Sequence, residues 1–131
     1  IKGIMEPEDA EAAVKSGADA IVVSNHGGRQ LDGAPSSIRT LPRIVSAVGN
    51  DIEVWMDGGI RSGQDILRAW ALGARGVLIG RAYIYGLGAY GEAGVTRALE
   101  ILYNEMDITM AFTGHRNIQN VTRDILVEGT Y

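Results

Sequence analysis

The 131-residue sequence has no cysteine, only three prolines, one phenylalanine and two histidines. Without thiols, neither a disulfide framework nor a thiolate metal site is available. No cluster of histidines and carboxylates has metal-ligand spacing. An excess of positive charge is lacking as well. Twelve basic side chains face sixteen acidic ones, for a net charge of −4, which argues against a general nucleic-acid binder. No apolar run approaches the ~20 residues that span a bilayer, and no secretory leader pattern is visible. The chain opens on Ile1, inside an apparent strand, so we expect it to be part of a longer protein.

What is present suits one globular domain over residues 1–131, with 46% apolar and 21% charged residues. The eighteen glycines gather at strand ends and after helices, where tight turns and close backbone approach to a ligand need them. The pattern alternates strand and helix. Ile1 to Ile4 is a short strand. Pro7 suits a first helical turn, Ala10, Ala13 and Val14 share a face, and Gly17 marks the stop. Residues 19–24 form the next strand. A helix within 36–48 carries Ile38, Leu41, Ile44, Val45 and Val48 on one side. Ile52 to Met56 is a third strand. Ser62 then suits a helix cap, with Asp65 placed for a capping box. Gly76 to Ile79 is a fourth strand. The rest is mostly helical, with Val95, Leu99, Leu102 and Met106 at helical spacing and an irregular tail after Gly114. Trp55 and Trp70 are expected in the core, and Tyr83, Tyr85 and Tyr90 near a barrel end or a subunit contact.

Four successive strand–helix units predict an α/β fold with a parallel sheet. Short strands recurring every ~20–35 residues match a TIM (β/α)8 barrel, and four units are half of one. A doubly wound sheet is the alternative, but no G-x-G-x-x-G follows any strand. The candidate functional residues fall at strand ends, where barrel enzymes keep their sites.

The run Ser24-Asn25-His26-Gly27-Gly28-Arg29-Gln30-Leu31-Asp32-Gly33 follows the apolar strand Ala20-Ile21-Val22-Val23. His26 is a general-base candidate. An imidazole in that role needs a partner to fix its tautomer, and none is evident nearby; Asp32 has no particular claim. Arg29 offers a planar fork for a carboxylate. Ser24 suits either a cofactor contact or its own turn. Lys2 is either a snorkelling strand-end lysine or a cation beside a group that becomes negative. Asp57-Gly58-Gly59-Ile60-Arg61 ends one strand and Gly80-Arg81 the next. Glycine amides with two arginines at adjacent strand ends point to a phosphate-bearing ligand. Asp57 would repel phosphate and suits hydroxyls instead. His115, beside Gly114, suits a cap or a surface position.

Together, IKGI, SNHGGRQLDG, DGGIRSGQD, ALGA and the segment from Ile79 to Val95 resemble the FMN-dependent α-hydroxy-acid dehydrogenases. The resemblance covers nearly the whole chain and is weakest after about residue 113. It implies the C-terminal half of the family's barrel, strands five to eight. It further implies FMN as cofactor, with Lys2 near the pyrimidine side of the flavin and Ser24 against the FMN. Asp57 would hold the ribityl hydroxyls, and Gly58, Gly59, Ile60, Arg61, Gly80 and Arg81 the phosphate. His26 would be the base and Arg29 the substrate clamp. The implied reaction is oxidation of an L-2-hydroxy acid, L-lactate first, to the 2-oxo acid. A glycolate-type oxidase using oxygen, another flavin barrel, and an inactive half-barrel phosphate module are the alternatives. Implied partners are the N-terminal half of the same barrel and further copies, as a homotetramer. The implied location is the cytoplasm, peripheral at the inner membrane. The chain alone is expected to be inactive and to bind FMN weakly.

Overall fold

The computed structural model describes residues 1–131. Four strands, β1 (Lys2–Ile4), β2 (Ala20–Val23), β3 (Glu53–Asp57) and β4 (Gly76–Leu78), alternate with the helices α1 (Pro7–Lys15), α2 (Ser37–Val48), α3 (Gly63–Ala71) and α4 (Arg81–Phe112). All strand pairs are parallel and the order is sequential, β1-β2-β3-β4. A sequential order has no point where the winding reverses, so the switch point of a doubly wound sheet is missing. The four-unit α/β expectation therefore holds.

Alternation within the strands sorts the two faces. Ile21 and Val23 of β2, with Val54 and Met56 of β3, point to the helices and are buried. They join Ala10 and Ala13 of α1, Leu41, Ile44 and Val48 of α2, and Ala69 of α3 in one core cluster. Helices on one side of a sheet follow from right-handed crossovers between sequential parallel strands. The opposite face holds Lys2, Val22, Trp55 and Gly76 in one aligned row, with Asp57 and Leu78 one step higher. Trp55 is therefore not a core residue, as its sequence suggested. It is half-buried on the open face, its ring lies over Gly76 where a Cβ would stand about 2.8 Å away, and its indole donates to Glu53.

Each helix boundary has a local cause. Pro7 opens α1, and the chain leaves that helix through Gly17 at φ +81. The predicted capping box of α3 is present: Ser62 accepts from the Asp65 amide while Asp65 reaches back to the Ser62 amide. The long α4 breaks at Tyr90 and Gly91 (φ +59). Its two arms meet where Gly86 and Gly94 touch backbone to backbone. This break displaces one predicted core residue. Beyond it, Gly94, Leu102 and Met110 turn inward, so Leu99, off that every-fourth-residue stripe, is 52% exposed. Tyr85 and Tyr90 are also largely exposed. After Gly114, two 3-10 turns (Ile118–Asn120 and Arg123–Ile125) fold the tail back. Val121 seals a second cluster there with Leu67, Ala71 and Met110, against which Trp70 packs, half-buried. His115 closes the end of α4, its amide donating to Met110 O at 2.8 Å. No helix is long and apolar enough to cross a membrane.

Candidate functional site

The chain leaving β2 turns at once. Asn25 caps a single 3-10 turn, His26–Gly28, by accepting from the Gly28 amide at 3.1 Å, and its side-chain amide donates to Pro35 O at 3.1 Å. The Asn25 amide donates to Ser37 Oγ, a buried hydroxyl in the first turn of α2. Gly58 lies against both side chains; a Cβ there would stand 3.1 Å from Ser37 Oγ and 3.4 Å from Asn25 Oδ1. The loop carrying His26 and Arg29 is thus fastened to α2 and to the end of β3. Asn25 and Ser37 were not among the expected site residues. For Asn25 the signal in the sequence is an Asx residue just ahead of the turn-forming Gly27-Gly28 pair; Ser37 carries no comparable mark.

His26 is the one non-glycine residue with positive φ, at 56°. Its side chain is exposed, and neither ring nitrogen bonds to another group of this chain. Asp32 is not its partner.

Lys2 departs from the strand-end pattern. It stands at the start of β1, level with Val22 and Trp55, and reaches the site with its long side chain. The ammonium donates to Ser24 Oγ at 2.8 Å and pairs with Asp57 Oδ2 at 2.8 Å. Ser24 Oγ also accepts from the His26 amide at 3.1 Å. Ser24 is almost wholly buried, so its observed contacts hold Lys2 and the His26 turn together. The other carboxylate oxygen of Asp57 is buried with no donor. A buried acceptor of this kind normally finds a partner.

Lys2, His26, Gly27, Arg29, Asp57, Gly58, Gly59, Ile60, Arg61, Gly80 and Arg81 line a single open cavity of about 540 Å³. Gln30, Leu78, Ile79, Ala82 and Ile84 complete its wall. Ser24 lies outside that wall and borders a neighbouring hollow beside Gly3 and Asn25. Because Asp57 offsets Lys2, the cavity keeps three arginines, Arg29, Arg61 and Arg81, that form no ion pair within the chain. Arg81 crosses from the end of β4 toward the β2 loop, within reach of Gly27.

The two neighbouring helix N-termini differ in a way that decides where an anion fits. At α3, Asp65 Oδ2 accepts from the amides of Arg61 and Ser62, and Glu105 of α4 accepts from Gly63 N at 2.9 Å. That end is already filled by carboxylates. At α4, Gly80 supplies no side-chain cap, and the first-turn amides of Arg81 and Ala82 have no intrahelical acceptor. An anion is therefore favoured at α4 and at the Gly58–Gly59 turn, with the Arg61 guanidinium, not its amide, contributing. No three metal-ligating side chains come together.

This arrangement has relatives. The family model described as FMN-dependent dehydrogenase matches residues 1–128. The chain is similar to an L-lactate dehydrogenase of Caulobacter vibrioides, 59% identical over 128 residues that make up 98% of this chain and 33% of that protein. It is similar to an L-lactate dehydrogenase of Azorhizobium caulinodans, 58% identical over 97% of this chain and 33% of the relative. Among solved structures it resembles a mandelate oxidase with benzoyl-formic acid, at 51% identity and TM-score 0.89 over 93% of this chain and 36% of that one. A mandelate oxidase mutant with a monooxide FMN adduct superposes equally well, with the same identity and TM-score. The chain spans about a third of the length of the curated relatives it matches. The expectation that it is the C-terminal half of the family's barrel is therefore not borne out. What the matches support is a four-strand segment of about a third of such a protein.

Proposed function

The chain belongs to the FMN-dependent dehydrogenases, and from that premise we propose that it carries the base, the carboxylate clamp and much of the cofactor cradle of an FMN-dependent L-2-hydroxy-acid oxidoreductase. L-lactate is its first-choice substrate, in keeping with the names of the L-lactate dehydrogenases it resembles. One observation carries the reading. The β2 loop and the loops after β3 and β4 put a general-base candidate, a carboxylate fork and an uncapped helix N-terminus around one cavity. In this proposal the sheet is a section of a (β/α)8 barrel, supported by its sequential strand order and one-sided helices.

The residues fit FMN. The donorless oxygen of Asp57 suits a ribityl hydroxyl. The amides of Arg81 and Ala82, the Gly58–Gly59 turn and the guanidiniums of Arg61 and Arg81 suit its phosphate. When bound, FMN supplies a two-electron acceptor. Arg29 holds the substrate carboxylate through paired N–H donors. His26 takes up a proton that the hydroxy acid releases as it becomes the 2-oxo acid. Lys2 places a cation, steadied by Ser24 and Asp57, where negative charge gathers during the reaction. Ser24 acts in this scheme by holding Lys2 and the His26 turn. A carboxylate partner for His26 comes from the remainder of the barrel, as do further substrate contacts. Self-association and a cytoplasmic place, peripheral at the inner membrane, belong to the same proposal and rest on the resemblance.

The test is anaerobic mixing of the complete, purified polypeptide with L-lactate. A yellow protein that bleaches, and that loses ~10²-fold or more of its reduction rate in His26→Gln, supports the reading. A colourless protein, or a yellow one indifferent to 2-hydroxy acids, overturns it. Reoxidation by oxygen against a quinone then separates oxidase from dehydrogenase.

A further inference from the structure

The imidazole of His26 has no hydrogen bond within the chain, yet its backbone is held at φ 56. The ring does lie against the backbone of another strand. Gly3 sits at φ +96, where the β1–β2 pairing slips between Lys2 and Ile4. A Cβ placed on Gly3 would stand 2.7 Å from His26 Cε1, 3.4 Å from Nε2 and 3.8 Å from Nδ1. The Nδ1–Cε1–Nε2 edge of the ring therefore rests against bare backbone.

We propose that Gly3 is a positioning residue, and that its missing side chain forms the slot that sets the His26 ring at the cavity wall. The slipped register gives β1 two tasks. It turns Lys2 to the open face and Ile4 into the core, and it sets Gly3, which has no side chain, opposite the His26 ring of the β2 loop. The ammonium of Lys2 and the imidazole of His26 are thus placed by adjacent residues of one strand. The packing claim stands on geometry alone; its catalytic consequence rests on the reading of His26 as proton acceptor.

Two requirements coincide at Gly3, positive φ and empty space, and substitutions separate them. Gly17 has φ +81, and a Cβ added there would meet no atom within 4 Å, so Gly17→Ala measures backbone strain without a blocked slot. Gly3→Ala adds the clash. In a double-mutant cycle on the complete polypeptide, the loss in urea midpoint from Gly3→Ala shrinks when His26→Ala removes the ring. An equal loss in both backgrounds overturns the proposal, whatever the protein catalyses. Should Gly3→Ala fail to fold, the double variant folds; its failure too is the overturning result. In the enzyme assay, Gly3→Ala lowers kcat by at least about tenfold and alters the pH profile of kcat, while flavin affinity and substrate KM stay near those of Gly17→Ala. A parent protein inert toward 2-hydroxy acids removes the proposed activity but leaves the stability cycle to decide the slot.

Discussion

Gly63→Ala is the sharpest test of how the site is braced. Gly63 is the first residue of α3, buried, and its φ is not left-handed. Backbone strain therefore does not enter. A Cβ there would run into the backbone of α4 at Met106 N, Glu105 C and Leu102 O. Overpacking costs about 1–3 kcal/mol. The upper end applies here because a helix backbone cannot swing aside as a side chain can. Moving α4 away also strains the bond from Gly63 N to Glu105 Oε2, 2.9 Å, and a hydrogen bond to a charged acceptor is worth roughly 1.5–3 kcal/mol. Against this stands at most ~1 kcal/mol of better helix propensity. The net loss is about 3–5 kcal/mol, a large share of the ~5–15 kcal/mol that holds a typical domain. Urea unfolding followed by tryptophan fluorescence reads it. Gly88→Ala is the control. That glycine also lies in a helix, without positive φ, and its Cβ would enter open space, so it gains roughly 0.5–1 kcal/mol. If Gly63→Ala stays within ~0.5 kcal/mol of the parent, α3 and α4 do not meet backbone to backbone and this account of the brace is wrong.

Asp57→Asn keeps the shape but loses the Lys2 ion pair and the carboxylate acceptor. Flavin affinity in a fluorescence titration should fall about ten- to a hundredfold, the equivalent of one charge-assisted hydrogen bond. Asn25→Ala removes the bonds to Gly28 N and Pro35 O and should destabilise by ~1–2 kcal/mol; turnover should fall more than flavin affinity, since the loosened loop carries His26 and Arg29. Glu6→Ala should shift the unfolding free energy by less than about 0.5 kcal/mol, because its pair with Arg43 is exposed on both sides. A larger shift would mean that this pair ties α1 to α2.

Local features of the sequence were legible where one short stretch contains the whole cause. The β-branched run at 20–23, the inward face of α2 and the Ser62–Asp65 box each depend on spacing within a few residues, and the structure places them as the spacing predicts. The break in α4 was not legible in the same way. Its pattern of apolar residues continues past Gly91, and distant contacts, Gly94 with Gly86 and Leu102 to Met106 with Gly63 of α3, select which stripe turns inward and leave Leu99 in solvent. Trp55 misled for a related reason. A large aromatic in a strand is usually buried, but strand alternation put it on the face that the helices do not cover.

The site divides along the same line. His26, Arg29, Asp57 and the strand-end glycines declare themselves because reactive or permissive residues at strand ends are chemically conspicuous. The residues that position them do not. Ser24 serves as a junction for Lys2 and the His26 turn, Glu105 closes the α3 N-terminus from 42 positions away, and Gly3 acts through an atom it lacks. Such roles are properties of pairs distant in sequence, and a glycine that makes room looks the same in sequence as one that merely turns. The missing cap makes the point in reverse. Gly80 at the start of α4, where serine, threonine or aspartate is the common choice, is an absence visible in the sequence itself. Set beside the filled N-terminus of α3, it directs an anion to α4. The chemistry of this site was therefore readable from what its loops contain and from the cap that Gly80 omits, whereas the slot at Gly3 became visible only once the fold set that glycine against His26.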